Sequence, residues 1–405
     1  MTATLPSLAK LKPNPAWASL PLFDRTGWKR VRFGDVVENC NETCDPEEAG
    51  LERFVAMDHL EPGSLHVRSW GNVADGTTFT RRCRPGQVLF GKRRAYQRKV
   101  AVAEFEAVVS GDIYVLAPKD TQRLLPELLP FLCLSERFFQ HAVGTSAGSL
   151  SPRTNWSSLA SFEFDLPPLD QQRRIAEILW AVDEVDENLE TTSQHCDAAV
   201  KASREAIAQC GAPTQRIEEL TTLVTKGESP GWQGFEYQNE GPLFITSENV
   251  LFGSYSPEPR KHIPLAFHQK VRRSAMQAGD VLFNLVGASI GRGCVLPDVE
   301  SEANTNQAVA VIRVDREQVL PEYVLGYMLS PSGLKSILGT SVNTARANLS
   351  LEGMRSTRVP VEPLEVQRER VRTIENAERF ARLISQHRER LGAVESSILN
   401  QVFTP

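Results

Sequence analysis

Leu166 to Cys210 reads LPPLDQQRRIAEILWAVDEVDENLETTSQHCDAAVKASREAIAQC, and the organisation of the chain follows from it. Prolines 167 and 168 forbid helix through the dipeptide, and Asp170 stands where an N-cap belongs, so a helix is expected from about Gln171 until Gly211 and Pro213 end it. Ile175, Ile178, Val182, Val185, Leu189, Thr192, Cys196, Ala199, Ser203 and Ala206 alternate at three and four residues, the spacing of a coiled-coil seam. A helix of this length, a rod of about 60 Å, needs a partner. Val361 to Phe403 opens with the same order of proline, leucine, acid and glutamine-arginine. Ile374, Ala377, Ala381, Ile384, Leu391, Ile398 and Val402 give it a comparable seam, interrupted by Arg388 and Glu395. One antiparallel pair holding two globular domains apart is the expected arrangement; both helices covering the core of one large domain is the alternative.

The chain has 405 residues, 41% hydrophobic and 23% charged, with a formal charge of -5. These values suit an ordinary globular protein and do not exclude nucleic acid, because binding answers to local fields rather than to the sum. Seven cysteines without a CxxC pair suggest reduced thiols in a cytoplasm and no zinc site. The start lacks the apolar run of a signal peptide, and no segment has the length of a membrane span. Residues 1–25 read as an extended, proline-broken arm.

The chain repeats itself. CRPGQVLFGKRRAYQRKVAV from Cys83 is answered 193 residues later by MQAGDVLFNLVGASIGRGCV from Met276. LPELLPFLCLSERFF from Leu125 and Gln172-Arg173 are answered at an offset of 195 by LPEYVLGYMLSPSGL from Leu320 and by Gln367-Arg368. Order and spacing are kept, so the chain is a tandem duplication. The expected class is α+β: two repeated domains of mixed sheet with short helices, at 26–168 and 212–362, with spacer helices at 169–211 and 363–405. Strands are expected at 86–90, 100–109, 112–116, 279–283 and 308–314, and helices at 126–140 and 321–338. Loops rich in Gly, Ser, Asn and Arg are expected at 146–154 and 340–350.

The richest local signal is Arg81, Arg82, Arg84, Lys92, Arg93, Arg94, Arg98 and Lys99, interrupted by no acid and interleaved with Phe90 and Tyr96. A basic hairpin with an aromatic tip suits phosphate contacts combined with base-edge or stacking contacts. The second copy has Leu285 to Gly293 there, with Ser289 and Arg292, and Arg346 lies in its later loop: one scaffold with two tips, as two readers of different sequences would have. A solvated surface hairpin is the bland reading. Gly287, Gly291 and Gly293 do not have the GxGxxG spacing of a cofactor loop. The histidines sit singly, and no Walker loop, methyltransferase or nuclease motif is present, so no catalysis, metal or cofactor is expected.

LPPLDQQRRIAEIL resembles the first spacer helix in the specificity subunits of type I restriction-modification systems. ERFVAMDHLEPGSLHVRSWG from Glu52 and FGKRRAYQRKVAVAEFEAVVSGDIYVL from Phe90 resemble one type of their target-recognition domain. TKGESPGW from Thr225, PLFITSENV from Pro242, AGDVLFNLVGASIGRGCVL from Ala278 and NTNQAVAVI from Asn304 resemble another, and EPLEVQRERV departs from the first spacer start in lacking the paired glutamines. The resemblance implies a non-catalytic subunit whose two domains each recognise half of an asymmetric, interrupted site in double-stranded DNA. It implies two modification subunits that bind S-adenosylmethionine and methylate adenine, and separate ATP-dependent restriction subunits. Gln171, Gln172, Arg173, Ile175, Ile178, Leu179, Gln367 and Arg368 are the residues expected to meet the modification subunits. An enzyme of unfamiliar motif and a structural clamp in another defence assembly are the competing classes.

Overall fold

The structure is a computed structural model that describes residues 23–299, 301–339 and 349–403. All but the last three residues of the expected arm lie outside the described residues, as does Arg346. Two compact units form: residues up to Glu190 with those from Gln386 onward, and Thr191–Ser385.

In the first unit four antiparallel strands lie in the order Val37–Asn39, Ile113–Pro118, Val88–Gly91, Val100–Val102. The second unit repeats that order and sense with Thr221–Lys226, Val309–Val314, Val281–Asn284 and Gly293–Val295. Each unit adds a parallel pair, Arg53–Val55 with Ala107–Val109 and Gln238–Ile245 with Ala303–Thr305. Each also closes with an antiparallel ribbon leading into a long helix, Lys29–Arg32 with Glu163–Leu166 and Thr214–Arg216 with Arg358–Pro360. The duplication read from short motifs is therefore a duplication of topology.

Strand period two sorts the core. Val88 and Phe90 face one apolar cluster with the helices, while Leu89, Ala101 and Val115 face another with Val55 and Val109. Val281 and Phe283 against Leu282 and Val311 repeat this in the second unit. Both faces of each sheet are covered, which explains runs of apolar residues without alternation.

Three expected elements divide. The strand expected at 100–109 is two strands, Val100–Val102 and Ala107–Val109, in different sheets. Glu104 and Glu106 lie between them, and their carboxylates go to His66 and Arg82. The helix expected at 126–140 is two, Leu129–Leu134 and Glu136–Gly144, because Ser135 caps the second by accepting the Phe138 N–H. That expected at 321–338 is Pro321–Met328 and Pro331–Gly339, since Pro331 has no N–H to continue the first.

The long helices run Leu169–Ala208 and Leu364–Phe403, 40 residues each. The first starts ahead of Gln171, so Asp170 lies inside the first turn, where its charge complements the helix dipole rather than capping it. Ile175, Ala176, Leu179 and Trp180 share a core with Ile398, Leu399, Val402 and Phe403, and in the other unit Ile207 shares one with Val371 and Ile374. The start of one helix thus meets the end of the other, an antiparallel pairing in each unit.

The seam of the second helix is as expected from Ile374 to Val402, every expected position being buried or half-buried. That of the first is displaced at alternate positions. Val185, Thr192 and Ala199 are exposed, while Leu179, Val200 and Ile207 are buried and Asp186 and Ser193 half-buried. The spacing is four-three rather than three-four; the two phases share one position per heptad, and only the facing helix separates them. The seam interruptions are also partnered. Arg388 donates from Nε and Nη2 to the Asp186 carboxylate at 2.9 and 3.0 Å, and from Nη1 to Glu190. Burial, then the nearby Asp183 and Asp186, push Glu395 up to about 7. His66, bonded to Asp183 at 3.0 Å and Glu104 at 2.6 Å, is raised to about 10 by those carboxylates.

Gln172 and Gln367 carry the joint between helix and domain. Gln172 Nε2 donates to the Arg123 and Pro167 carbonyls at 2.8 Å each, and its Oε1 accepts the Leu125 N–H at 2.9 Å. Gln367 Nε2 donates to the Gln318 and Glu362 carbonyls at 3.1 and 2.7 Å, and its Oε1 accepts the Leu320 N–H at 2.9 Å. All four positions recur at an offset of 195. Both glutamines are buried, as are Ile175 and Leu179, with Ile178 packed beside them. Gln171 is turned inward too, accepting the Trp28 indole N–H at 2.6 Å and donating to the Asp24 carbonyl at 2.9 Å. Of the eight residues expected at a partner surface, the structure therefore commits six to the chain's own interior. Arg173 and Arg368 stay at the surface near Asp170 and Glu365.

Replacing Gln172 by leucine strands a buried N–H and two carbonyls, and should lower the unfolding free energy by about 2 to 4 kcal/mol, read as a lower denaturant midpoint at unchanged slope. Glu395 and His66 both titrate above their ordinary ranges in the fold. Their stabilisation is therefore complete at low pH, and is lost as pH rises through about 7 for Glu395 and through about 10 for His66. A series of melting temperatures should fall in those two windows, and Glu395→Gln should abolish the first fall alone.

Candidate nucleic-acid interface

The basic run divides in space. Arg81 and Arg82 lie on the strand Arg81–Cys83 of the mixed sheet, whereas Lys92 to Lys99 form the connection between Val88–Gly91 and Val100–Val102. The run contains no acid, but acids reach it from elsewhere in the chain. Arg82 donates to Glu106 at 2.6 Å and Arg84 to Glu42 at 2.7 Å, which removes both from a free cationic surface. Arg98 donates to Glu136 at 2.5 Å and lies over the Phe139 ring; Lys99 donates to the Met57 carbonyl at 2.7 Å. Phe90, which interrupts the basic run in the sequence, is fully buried at the end of its strand and stacks on Phe139 at 5.7 Å.

What remains is a cluster at the tip. Lys92, Arg93 and Arg94 meet the loop at 146–154 that was singled out separately in the sequence, and Arg81, which donates to the Ile113 carbonyl at 3.3 Å, lies near Lys92. The Arg94 N–H donates to the Pro152 carbonyl at 2.7 Å and the Thr154 N–H to the Lys92 carbonyl at 3.1 Å. Arg93 and Arg94 both donate to the Ser151 hydroxyl, at 3.1 and 3.4 Å. Arg153, absent from the expected residues, joins them: its Nε donates to Asp112 at 2.8 Å, and Arg93 reaches the same carboxylate at 3.4 Å. Arg153 and Arg93 hold the Asp112 carboxyl below its ordinary range against the opposing effect of burial. Burial, then Arg81, lower the Lys92 ammonium, whose Nζ lies 4.9 Å from the Tyr114 ring centre.

Two features of this tip are unusual. The Nε atoms of Arg93 and Arg94 are buried without a hydrogen-bond partner. Arg94 and Arg98, at φ 52 and 56°, are the only non-glycine residues with positive φ among the described residues. Such backbone costs about 1 to 3 kcal/mol per residue and concentrates at functional sites. The two flank the turn Ala95–Gln97 and hold Tyr96 outward, 56% exposed. A set of guanidinium groups around an exposed ring can hold phosphate and stack on or abut a base.

In the second unit the corresponding turn is Gly287–Ser289. The Ser289 hydroxyl bonds back to the Val286 carbonyl at 3.5 Å, and Arg292 is exposed. Gly287 and Gly291, with φ of 73 and 84°, supply the left-handed backbone of this turn. Among the described residues no three His, Cys, Asp or Glu side chains form a metal-holding group, and no helix is long and apolar enough to cross a membrane.

Residues 26–195 match the family model of the type I restriction modification DNA specificity domain. The chain is 24% identical over 232 residues to the type I restriction enzyme EcoDI specificity subunit of Escherichia coli, covering 55% of this chain and 46% of that one. It thus spans about half the length of that relative. The MjaVIII specificity subunit of Methanocaldococcus jannaschii is 18% identical over 408 aligned positions, 93% of this chain and 92% of the relative. Among solved structures, the S subunit of a type I restriction-modification system from M. genitalium superposes with a TM-score of 0.59 at 12% identity, covering 95% of this chain and 98% of that one. A chain solved in work on complex assembly and conformational transition of the type I R-M system does so with 0.58 at 19% identity, covering 93% and 97%. In sequence and in fold, this chain is a relative of the specificity subunits of type I restriction-modification systems.

Proposed function

We propose that the chain is the DNA-specificity subunit of a type I restriction-modification complex, itself without catalytic activity, and that each reading domain takes one half of an asymmetric, interrupted duplex site. The observation that carries this is one scaffold, a four-stranded sheet, a parallel pair and a ribbon that recur in the same order, whose connecting turns differ: cationic and aromatic at 92–99, glycine-rich with Arg292 at 285–293. Shared topology with divergent tips suits two readers of unlike sequences. Reading domains at 26–168 and 212–362, with spacer segments at 169–211 and 363–405, are part of the same proposal.

The relatives' names attach them to restriction enzymes, and one solved relative comes from work on assembly of the complex. By that relationship this chain binds DNA and assembles with other subunits. Two modification subunits, carrying S-adenosylmethionine, and ATP-dependent restriction subunits are the partners proposed. With the expected glutamines and isoleucines turned inward, the contact surface is better sought among exposed apolar side chains of the long helices. Val185 and Val394 in one unit and Phe380 and Leu383 in the other are of that kind.

Exchanging residues 214–360 for the equivalent segment of another specificity subunit should change one half of the methylated motif and keep the half read by residues 28–165. Sequencing of methylated bases in cells carrying the exchanged gene checks this, and a change in both halves would contradict independent reading. Arg93→Ala with Arg94→Ala should weaken binding to a cognate duplex by about 10- to 100-fold. If both touch phosphate, the slope of log affinity against log salt should fall by about 1.8. Titrations at several salt concentrations measure both effects.

A further inference from the structure

The second unit holds a cleft that the repeat does not explain. It has a volume of about 540 Å³ and lies between the turn that follows Thr221–Lys226 and the end of the helix Leu265–Lys270. Lys226, Lys270 and Arg273 line it, against one carboxylate, Glu228. That carboxylate is occupied, accepting from the Arg273 guanidinium and the Gln233 amide. The lining therefore carries two positive charges in excess, in a chain whose formal charge is -5.

At the mouth stands Trp232, 86% exposed and with no ring or hydrogen-bond partner in the described structure. Its exposure is not that of a loose loop. The base of the turn is tied to the neighbouring sheet: the Gly227 N–H donates to the Asn306 carbonyl at 3.1 Å, and a Cβ on Gly227 would lie 1.6 Å from the Thr305 carbonyl oxygen. The far side is tied by the Phe235 N–H to the Pro230 carbonyl at 3.1 Å, and the Phe235 ring packs on Phe267 at 5.2 Å. Gly234, at φ 80°, makes the reversal between these anchors. A braced turn thus presents a large apolar side chain to solvent, at a basic cleft. Ser229 donates to Gln307 Oε1 at 2.8 Å, which fixes that amide at the cleft wall and leaves its NH₂ donors without a protein partner.

Resting on the reading of this chain as a DNA-specificity subunit, we propose that this cleft is where the second unit grips its half-site. Lys226, Lys270 and Arg273 hold phosphates, the Gln307 amide donates to base-edge acceptors, and Trp232 enters the groove against a base step. Bare aromatic or apolar wedges of this kind unstack or abut bases, while cations beside them neutralise the backbone. Duplex DNA is favoured over a protein partner by the charge excess and by the free amide donors. The glycine-rich turn at 285–293, with Arg292, then reads together with this cleft, whereas the tip of the first unit carries its own cations and aromatic ring.

The test uses the full chain together with the modification subunits, a pool of duplexes randomised across the site, and sequencing of what is retained. The native complex should enrich a two-part motif. Trp232→Ala should bind about 10- to 100-fold more weakly, with the information lost from the second part of the motif and the first part intact; Trp232→Phe should restore much of it. Lys226→Ala with Lys270→Ala should lower the salt slope by about 1.8 without changing the preferred bases. Unchanged motif and affinity in Trp232→Ala overturns the proposal. So does a variant that keeps the motif but no longer assembles with the modification subunits, which would make the cleft a protein contact. A native complex that enriches no motif is a different failure, that of the DNA-specificity reading itself.

Discussion

A single carboxamide in each unit determines where the chain leaves the sheet and becomes a rod. The segments that lead from sheet to helix have backbone groups with neither ladder nor helix partners, and where they are buried those groups must be satisfied from elsewhere. Gln172 does so with both ends of its side chain, taking two carbonyls and one N–H from segments that precede the helix. Only an amide offers donor and acceptor together on a stem of that length, so neither glutamate nor leucine can substitute without stranding a group. Gln367 repeats the bond set on the equivalent atoms. The joint between domain and helix is thus the part of the duplicated unit held most closely alike, while the connecting turns differ.

Much of this was legible in the sequence for a physical reason: the duplication supplies two independent samples of the same pattern. The central strands of each unit and both long helices were recoverable because local signals, prolines before a helix and glycines in a turn, appear twice; the order of the strands in the sheet depends on pairings that no local signal carries. The glutamines were recognisable as paired features but not as buried ones. Their role depends on carbonyls at 123 and 318, about 50 residues earlier, and nothing local distinguishes such a glutamine from one on a surface. The seam phase of the first helix failed similarly. Residues such as Thr192, Ser193, Ala199 and Ser203 are alike in size and polarity, so the facing helix decides which are covered.

The basic run shows the limit of reading charge along a line. Eight cations without an intervening acid suggested one uniform surface, yet Glu42, Glu106, Asp112 and Glu136 arrive through the fold and withdraw or anchor several of them. The survivors are defined by a loop from residues 146–154, whose Arg153 completes the cluster. The fold ties Arg82 and Arg84 to carboxylates and sets Arg93 and Arg94 against the Ser151 hydroxyl instead, a distinction invisible to composition.

The ion pairs inside the helix seam are not duplicated, although the domains are. Arg388 reaches Asp186 and Glu190, but the positions displaced from these three by 195 are Ser193, Ala381 and Ser385. The other unit relies on Arg204 with Glu378, and the positions corresponding to these are Leu399 and Asp183. A protein made of near copies faces a problem of self-confusion: either helix could zip onto its own counterpart from a second molecule. Helix one carries Asp183, Glu184, Asp186, Glu187 and Glu190 in a short span, and helix two carries Arg379, Arg382, Arg388 and Arg390. Helix two intersperses its arginines with Glu375, Glu378, Glu389 and Glu395, but two first helices paired with each other would lack the Arg388 that meets Asp186 and Glu190, with carboxylates left unmatched at the seam. The broken symmetry acts as a polarity mark: the acidic stretch of the first helix is matched by Arg388 of the second and by nothing in its own copy.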